Sequence, residues 1–366
     1  MNQSPSERAY YPALDVLRGI AILLVFFYHN FHFIKVFEFG WVGVDLFFVL
    51  SGFLITDLLL NSQNKKNYFR NFYIRRFLRI FPLYYLTLII FFSFAPYFFS
   101  QQNIGEYHYY SQNQIWFWSF LQNWFFVDKG LSSSPFLSHF WSLAVEEQFY
   151  LFWPLVLFLV KDLRKARILT ISLILIVLVM RVYIWIQYPG DMVKYYCNTL
   201  TRIDSVLMGC LLSIYIKSGR EFSGRTVKIV LGFCLLYFAM SFGVMKNVKN
   251  TNPFFSTIGY TVVSVFFATV IYVFIKGNRQ GLQWLQQSYA LKYIGKISYG
   301  IYVFHIPVYL ILSSAFMDVF RQDLGLSYLN ALLLIAIISL FLTILASAVS
   351  FHFLEKPILS LKKHFP

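Results

Sequence analysis

An arginine and a histidine share one face of a strongly apolar segment near the N-terminus. Residues 14–31 read LDVLRGIAILLVFFYHNF, with Arg18 and His29 eleven residues apart. This helical spacing is close to three turns and about 16 Å of rise. Ionisable groups inside a membrane are costly and usually face a bundle interior or a wet cavity. The pair therefore predicts a cation near one surface and an acid–base group beyond the midplane. The alternatives are a snorkelling anchor for Arg18 and a helix-bridging hydrogen bond for His29.

Carboxylates in two further apolar segments are predicted to lie on the His29 side of the midplane. Asp45 occurs in GWVGVDLFFVLSGFLIT, and Glu146, with a second glutamate beside it, occurs in HFWSLAVEEQFYLFWP. A carboxylate at this level can orient an imidazole, and a buried glutamate can act as acid or base. The alternatives are a polar interfacial contact for Asp45 and pairing of the glutamates with Arg181 or Arg202.

Three arginines lie at the start of the third apolar segment, RNFYIRRFLRIFPLYY. Arg75, Arg76 and Arg79 are helical neighbours, and planar guanidinium groups suit phosphate. The alternative is ordinary anchoring by basic residues. Because Arg18 is expected at the same membrane surface, we favour an anion-binding role for Arg18, Arg76 and Arg79.

Two deeper segments contain ionisable groups that need partners elsewhere. Arg202 and Asp204 in TRIDSVLMG are two residues apart, so they do not face each other on a helix and each is expected to pair with another helix. His305 in ISYGIYVFHIP is mid-span. For these three residues a structural polar network and a catalytic role are both open.

No metal site is predicted. His32 follows His29 by three residues, but no acidic or cysteine ligand has matching spacing. The three cysteines fit neither a disulfide framework nor a zinc pattern; they are Cys197, Cys210 and Cys234.

The composition indicates an all-α polytopic membrane protein. The 366 residues are 58% hydrophobic and 13% charged, against about 45–50% and 25% in soluble domains. A net charge of +15 could indicate nucleic-acid binding, but the charges alternate with apolar spans, so we expect no nucleic acid. Segments of about 20 apolar residues predict ten membrane helices: 14–34, 41–61, 77–99, 136–160, 167–187, 196–216, 227–246, 254–275, 294–316 and 329–353.

The basic residues predict that both termini are cytoplasmic. With that orientation, 22 of the 31 lysines and arginines fall on the inside, six fall outside and three lie within spans. The long outer connection, about 100–135, contains QIWFWSFLQNWFF, which is too short to span and should lie along the interface or dip into it. We expect a single membrane domain over residues 1–366 without a fused soluble domain.

These stretches together resemble the acyltransferase 3 family of integral-membrane acyltransferases, from LDVLRGIA to FLEKP. The family pattern of a basic residue, ten residues and a histidine matches Arg18 to His29, and its Arg-x-x-Arg pattern matches Arg76 to Arg79. The segments GVDLFFVLSGFLIT, FWSLAVEEQFYLFWP, RIDSVLMG and ISYGIYVFH are also similar to family segments. They add a set of supporting residues: Trp141, Arg202, Asp204, Tyr302 and His305.

The resemblance implies transfer of an acyl group, usually acetyl, from cytoplasmic acyl-coenzyme A to a glycan or lipid-linked saccharide outside the membrane. Arg18, Arg76 and Arg79 would bind the coenzyme phosphates. His29 would deprotonate the acceptor hydroxyl or carry the acyl group transiently, with Asp45 or Glu146 orienting it. The implied location is a bacterial cytoplasmic membrane, with acetyl-coenzyme A as substrate and either this domain or a separate extracytoplasmic partner completing transfer.

A transporter or flippase is the main alternative, since ten spans with buried charges also suit an ion relay through Arg18, Asp45 and Glu146. Transporters often contain inverted repeats and paired broken helices, and the sequence has neither. A structural scaffold subunit would not explain an arginine and a histidine on one face of a single span.

Overall fold

The computed structural model describes residues 11–98, 104–276 and 283–365. Within these ranges the regular structure is helical, without strands, and ten segments are long and apolar enough to cross a membrane. The prediction of ten spanning helices is confirmed. We number their principal helices in chain order: α1 Pro12–Asn30, α2 Val42–Ser62, α3 Tyr68–Phe98, α4 Trp141–Leu159, α5 Leu163–Gln187, α6 Thr199–Lys217, α7 Gly224–Met245, α8 Tyr260–Lys276, α9 Ser298–Asp318 and α10 Tyr328–Ser350.

Short helical pieces extend or connect these helices. Several are 3₁₀ or π turns at the ends of spans, where a single i→i−4 ladder gives way to other hydrogen-bond patterns. In chain order the pieces are Lys35–Trp41, Ile104–Ser111, Gln114–Trp118, Gln122–Lys129, Ser138–Phe140, Met192–Tyr196, Phe255–Gly259, Gln283–Gln287, Tyr289–Lys296, Val319–Asp323, Phe351–Glu355, Lys356–Ser360 and Leu361–His364.

The third span differs most from its predicted boundaries. It begins at Tyr68 rather than at residue 77, because the mixed aromatic and basic stretch before residue 77 continues the helix. The arginine cluster therefore lies well inside α3 instead of at its mouth. We call the end of the bundle where α1 and α3 begin the basic face. Two of the basic residues counted on the inside, Arg8 and Arg279, lie outside the described residues, as do residues 99–103.

Close backbone contacts set the rotation of α2 against α6. A Cβ atom on Gly52 would lie 1.9 Å from the Val206 carbonyl oxygen, and one on Gly209 would lie 2.0 Å from that of Val49. Only glycine permits helices to approach this closely. The crossing fixes which face of each helix is turned toward the other.

Two buried ion pairs lie beside this crossing. Arg202 on α6 donates to Asp45 on α2 at 2.9 Å, and Arg181 on α5 donates to Asp204 at 2.8 Å. All four side chains are fully buried. Arg202 and Asp204 therefore have separate partners on other helices, as predicted. The alternative that the α4 glutamates pair with Arg181 or Arg202 is wrong.

The connection between α3 and α4 folds onto the bundle. Tyr84 on α3 donates to the Phe117 carbonyl at 2.7 Å, while Ile115 is 68% exposed. The hydroxyls of Ser132 and Ser133 donate to Glu106 and lower the pKa of its carboxyl group. The predicted thirteen-residue interfacial segment is thus two short helices, with one side packed and the other exposed.

Candidate active site

A cavity of about 640 Å³ enters the bundle from the basic face. It runs among α1, α2, α3, α4 and α9 toward the middle of the bundle. Its entrance is strongly cationic, and the basic residues that line it are Arg18, Lys65, Arg75, Arg76, Arg79 and Lys362. Its opposite end is lined by Ser142 and Tyr302. The cavity therefore combines an anion-attracting mouth with an inner end lined by hydroxyl groups.

The arginines that line the cavity have different surroundings. Arg18 donates to Asp15 at 3.3 Å. The Arg76 guanidinium lies 5.4 Å from the centre of the Tyr150 ring, and its Nε atom is buried without a hydrogen-bond partner in the structure. A buried unpaired donor is costly. Arg76 also lines the cavity, so its N–H groups that face the cavity can donate to an anionic ligand.

Glu146 lies with the arginines rather than with His29. It lines the cavity with Ser51 and Tyr150, whose hydroxyl groups hydrogen-bond to each other. Tyr150 is one turn beyond Glu146, so both project from the same face of α4 toward Arg76. The expectation that Glu146 orients His29 is not matched by these contacts.

His29 contacts a second histidine instead of a carboxylate. Its Nδ1 atom lies 3.0 Å from the Val25 carbonyl oxygen and 3.2 Å from Nε2 of His305 on α9. Nδ1 of His305 lies 2.7 Å from the Tyr302 carbonyl oxygen. His305 is fully buried, whereas His29 is only partly buried. The two imidazoles form a chain that can hold or pass a proton.

A third histidine packs against this pair. The His139 ring centre is 4.9 Å from that of His305, and its Nε2 lies 3.3 Å from the Val303 carbonyl oxygen. Sequence reasoning missed His139, which precedes α4 and lacks a helical spacing to any other site residue. In the sequence it is marked only as the ionisable first residue of the stretch HFWSL.

Tyr302 joins the cavity to the histidines. Its hydroxyl group lies at hydrogen-bond distance from Ser142 and from the His139 carbonyl oxygen, 2.5 Å in each case. The side chain lines the far end of the cavity, while the carbonyl group accepts from His305. His29 and His305 are not cavity-lining residues, and they approach it through Tyr302.

Asp45 is separate from this chain. Its Oδ1 atom accepts from Arg202 and from Ser205, both at 2.9 Å. The expectation that Asp45 orients His29 is therefore also not matched by the contacts. Trp141 packs 4.9 Å from the Tyr196 ring, which in turn lies against the Arg202 guanidinium. These contacts connect Trp141, Arg202 and Asp45 in one packed cluster.

Comparison with known families identifies the chain. Residues 11–352 match the acyltransferase 3 family, which is described as an acyltransferase domain. The chain belongs to the acyltransferase 3 family. No solved structure matches it. Membership does not favour the transporter alternative. It agrees with the resemblance carried by the arginine and histidine patterns of α1 and α3.

Relatives of this acyltransferase 3 chain are known in several bacteria. It is 32% identical to YrhL of Bacillus subtilis, with 98% of the chain aligned to 56% of that protein. It is 30% identical to the peptidoglycan O-acetyltransferase OatA of Listeria monocytogenes, with 96% and 56% covered. It is 28% identical to O-acetyltransferase OatA of Staphylococcus aureus, with 95% and 57% covered. The chain spans about half the length of the curated relatives it matches.

The acyltransferase 3 chain has no metal centre among the residues that the structure describes. No group of three histidine, cysteine or acidic side chains there could hold a metal ion. Its three cysteines are buried and free.

Proposed function

We propose that the protein is a membrane O-acetyltransferase. In this proposal it moves an acetyl group from acetyl-coenzyme A, bound at a cytoplasmic basic face, to a hydroxyl of peptidoglycan or a related glycan at the opposite face. Family membership and the names of the two OatA relatives support the reaction, and the name of the Listeria relative supports the acceptor class. The observation that carries the proposal is the cavity that joins the arginine-rich mouth to Tyr302, beside the His305–His29 pair.

The donor fits this cavity by charge and shape. Its phosphates would bind Arg18, Arg76 and Arg79, since guanidinium groups form paired hydrogen bonds with phosphate. Its extended pantetheine arm would follow the interior toward Tyr302. Carrying the whole polyanion through hydrocarbon would be prohibitive. Only the arm and the thioester need to approach the far side, and the coenzyme returns to the basic face.

The chemical step needs a base at the far end. Nε2 of His29 takes the proton of the acceptor hydroxyl as its oxygen attacks the thioester carbonyl. The new C–O bond forms, the C–S bond breaks, and the proton passes to the departing thiolate. Alternatively, Nε2 attacks first, and an acetyl-histidine then passes the group to the acceptor. Both routes yield free coenzyme and acetylated acceptor and use the same residue. In the second route, the acetyl group can pass from His29 to the glycan directly or through a separate extracytoplasmic partner.

Sidedness provides the direct test of this function. The protein is reconstituted in sealed vesicles, and its orientation is established by labelling a single cysteine at Asn64, in the exposed α2–α3 connection. The buried cysteines 197, 210 and 234 are replaced beforehand. Radiolabelled acetyl-coenzyme A supplied at the basic face should acetylate a soluble peptidoglycan fragment held at the opposite face, with free coenzyme appearing on the donor side.

Two results would contradict the proposal. Acetylation only when donor and acceptor share the basic face would rule out transfer across the membrane. No acetylation and no donor hydrolysis in any arrangement would count against the enzyme itself. Empty vesicles are the control for leakage of either substrate.

Loss of a cavity arginine should weaken donor binding. Arg76→Ala or Arg79→Ala should raise the dissociation constant for acetyl-coenzyme A about tenfold or more, because a charge-assisted bond contributes about 1.5–3 kcal/mol. Lysine should restore binding only in part, since it lacks the planar fork. Isothermal titration with the detergent-solubilised protein measures the change.

Arg70 supplies a matched control. It lies on the same helix with the same charge, but it is exposed and does not line the cavity. Arg70→Ala should leave the dissociation constant unchanged. Equal affinity for the donor in all three alanine variants would mean that the arginines only anchor α3 at the membrane surface.

A further inference from the structure

The backbone around the two imidazoles determines where their protons are. The carbonyl oxygens of Val25 and Tyr302 can only accept hydrogen bonds. They lie 3.0 Å from Nδ1 of His29 and 2.7 Å from Nδ1 of His305. Each Nδ1 atom must therefore carry a hydrogen for these contacts to be hydrogen bonds. In a neutral imidazole the lone pair then belongs to Nε2.

The contact between the rings fits these tautomers. Nε2 of His305 lies 3.2 Å from Nδ1 of His29, so its lone pair can accept a hydrogen bond from the His29 Nδ1–H group. That hydrogen is shared between the Val25 carbonyl and His305. A charged His305 would instead be an uncompensated cation at a fully buried position, among Phe26, Tyr302 and His139. Burying such a charge is strongly unfavourable.

His305 is itself held from several directions. The side-chain amide of Asn30 donates to its carbonyl oxygen at 3.3 Å and to Ser339 on α10 at 3.1 Å. The residue preceding Asn30 is His29. One short segment of α1 thus contacts α9 twice, through the imidazole and through the amide. This double contact limits rotation of His29 relative to His305.

We propose that His305 is a positioning residue for His29. It holds His29 as the Nδ1–H tautomer and so leaves Nε2 with the lone pair required of a base or nucleophile. When Nε2 takes a proton, the resulting cation is stabilised at Nδ1 by the Val25 carbonyl and by the His305 lone pair. A neutral imidazole here performs the task that a carboxylate performs in a Ser-His-Asp triad. The effect of this positioning on the reaction rate rests on the proposed function.

Two substitutions separate the roles of the His305 nitrogens. His305→Asn keeps a donor near the Nδ1 position, where it can bond to the Tyr302 carbonyl, but does not extend to His29. His305→Gln extends an amide oxygen to the Nε2 position, where it can accept from His29. Both variants are neutral and polar. They differ mainly in the contact under test.

Nitrogen-15 spectroscopy reads the tautomer directly. Protein labelled at histidine nitrogens is reconstituted in lipid, and the His29 signals are assigned by their loss in His29→Ala. We expect wild-type His29 to be protonated at Nδ1 and not at Nε2. His305→Asn should shift the population toward the Nε2–H tautomer, and His305→Gln should restore the wild-type pattern.

Steady-state kinetics then test the effect of the His29 tautomer on acetyl transfer. His305→Asn should lower kcat at least about tenfold with an unchanged KM for acetyl-coenzyme A, because a wrong tautomer removes the base without affecting donor binding. His305→Gln should recover much of the loss. A merely structural role would reduce both parameters or the yield of folded protein, without rescue by glutamine.

The outcomes distinguish this inference from the proposed function. An Nε2–H tautomer of His29 in the wild type, or a wild-type tautomer and kcat in His305→Asn, would overturn the inference. If His305→Asn does not fold, the His29 tautomer in the wild-type and His305→Gln spectra tests the inference. If the tautomers behave as expected but acetylation persists in His29→Ala, the positioning contact stands and the proposed catalytic use of His29 fails.

Discussion

His29→Ala is expected to abolish acetyl transfer without preventing folding. A general base contributes about 10²–10⁴ to a rate, and a nucleophile contributes more when the reaction depends on it. His29 does not line the donor cavity, so binding of acetyl-coenzyme A should be unchanged. Transfer is measured with labelled donor and a soluble glycan acceptor, and binding is measured by isothermal titration on the same preparation.

His32→Ala is the matched control for this variant. His32 lies three residues beyond His29, is exposed, and bonds to the His29 carbonyl at 3.2 Å. Its loss removes an imidazole from the same end of α1 without altering the His29–His305 contact. We expect nearly normal transfer. A well-expressed His29→Ala protein that acetylates at the wild-type rate would exclude a catalytic role for His29.

Asp45→Ala should cause the largest loss of stability. It leaves the fully buried Arg202 without its partner, and breaking one side of a buried pair typically costs about 3–5 kcal/mol. Thermal or denaturant unfolding in detergent measures the change. The double variant Asp45→Leu, Arg202→Met removes both charges and should regain most of the stability, because a buried ion pair can often be replaced by apolar groups.

The same pair of variants decides the function of Asp45. If the double variant is stable and transfers acetyl groups, Asp45 serves the fold. If Asp45→Ala is as stable as the wild type but inactive, the packing interpretation is wrong and Asp45 acts in the reaction. Thr261→Ala provides a comparison, since it removes the hydrogen bonds of that hydroxyl group with Asp204 and Arg181 but leaves the Arg181–Asp204 ion pair in place.

His305 contacts His29 whereas Asp45 does not, and this difference has a geometric cause. Asp45 and Gly52 are seven residues apart on α2, and Arg202 and Gly209 are seven apart on α6, so each pair shares one helix face. The close glycine crossing turns both faces toward each other. Asp45 is thereby directed to Arg202 rather than to α1. His305 reaches His29 because α9 packs beside α1 at the level of Asn30.

Linear sequence patterns alone determined the fold class, the number of membrane spans and most of the candidate functional residues. Length and apolarity set the ten helices, since every polar backbone group in a membrane must be satisfied within a helix. The cost of charge in lipid singled out Arg18, His29 and the α3 arginines. The separate partners of Arg202 and Asp204 followed from their i, i+2 spacing. The cytoplasmic orientation and the single-domain organisation remain predictions.

Only the tertiary structure decided which ionisable groups meet. Residues at a similar predicted depth can face any neighbour, because helix rotation depends on side-chain packing and on glycine contacts between helices distant in sequence. Glu146 therefore lies with Arg76, and Asp45 with Arg202, although depth alone suggested His29 for both. His305 and Tyr302 of α9 and His139, in the short turn before α4, gather beside His29. Since no sequence period connects those segments with α1, the histidine chain is a property of the packed bundle.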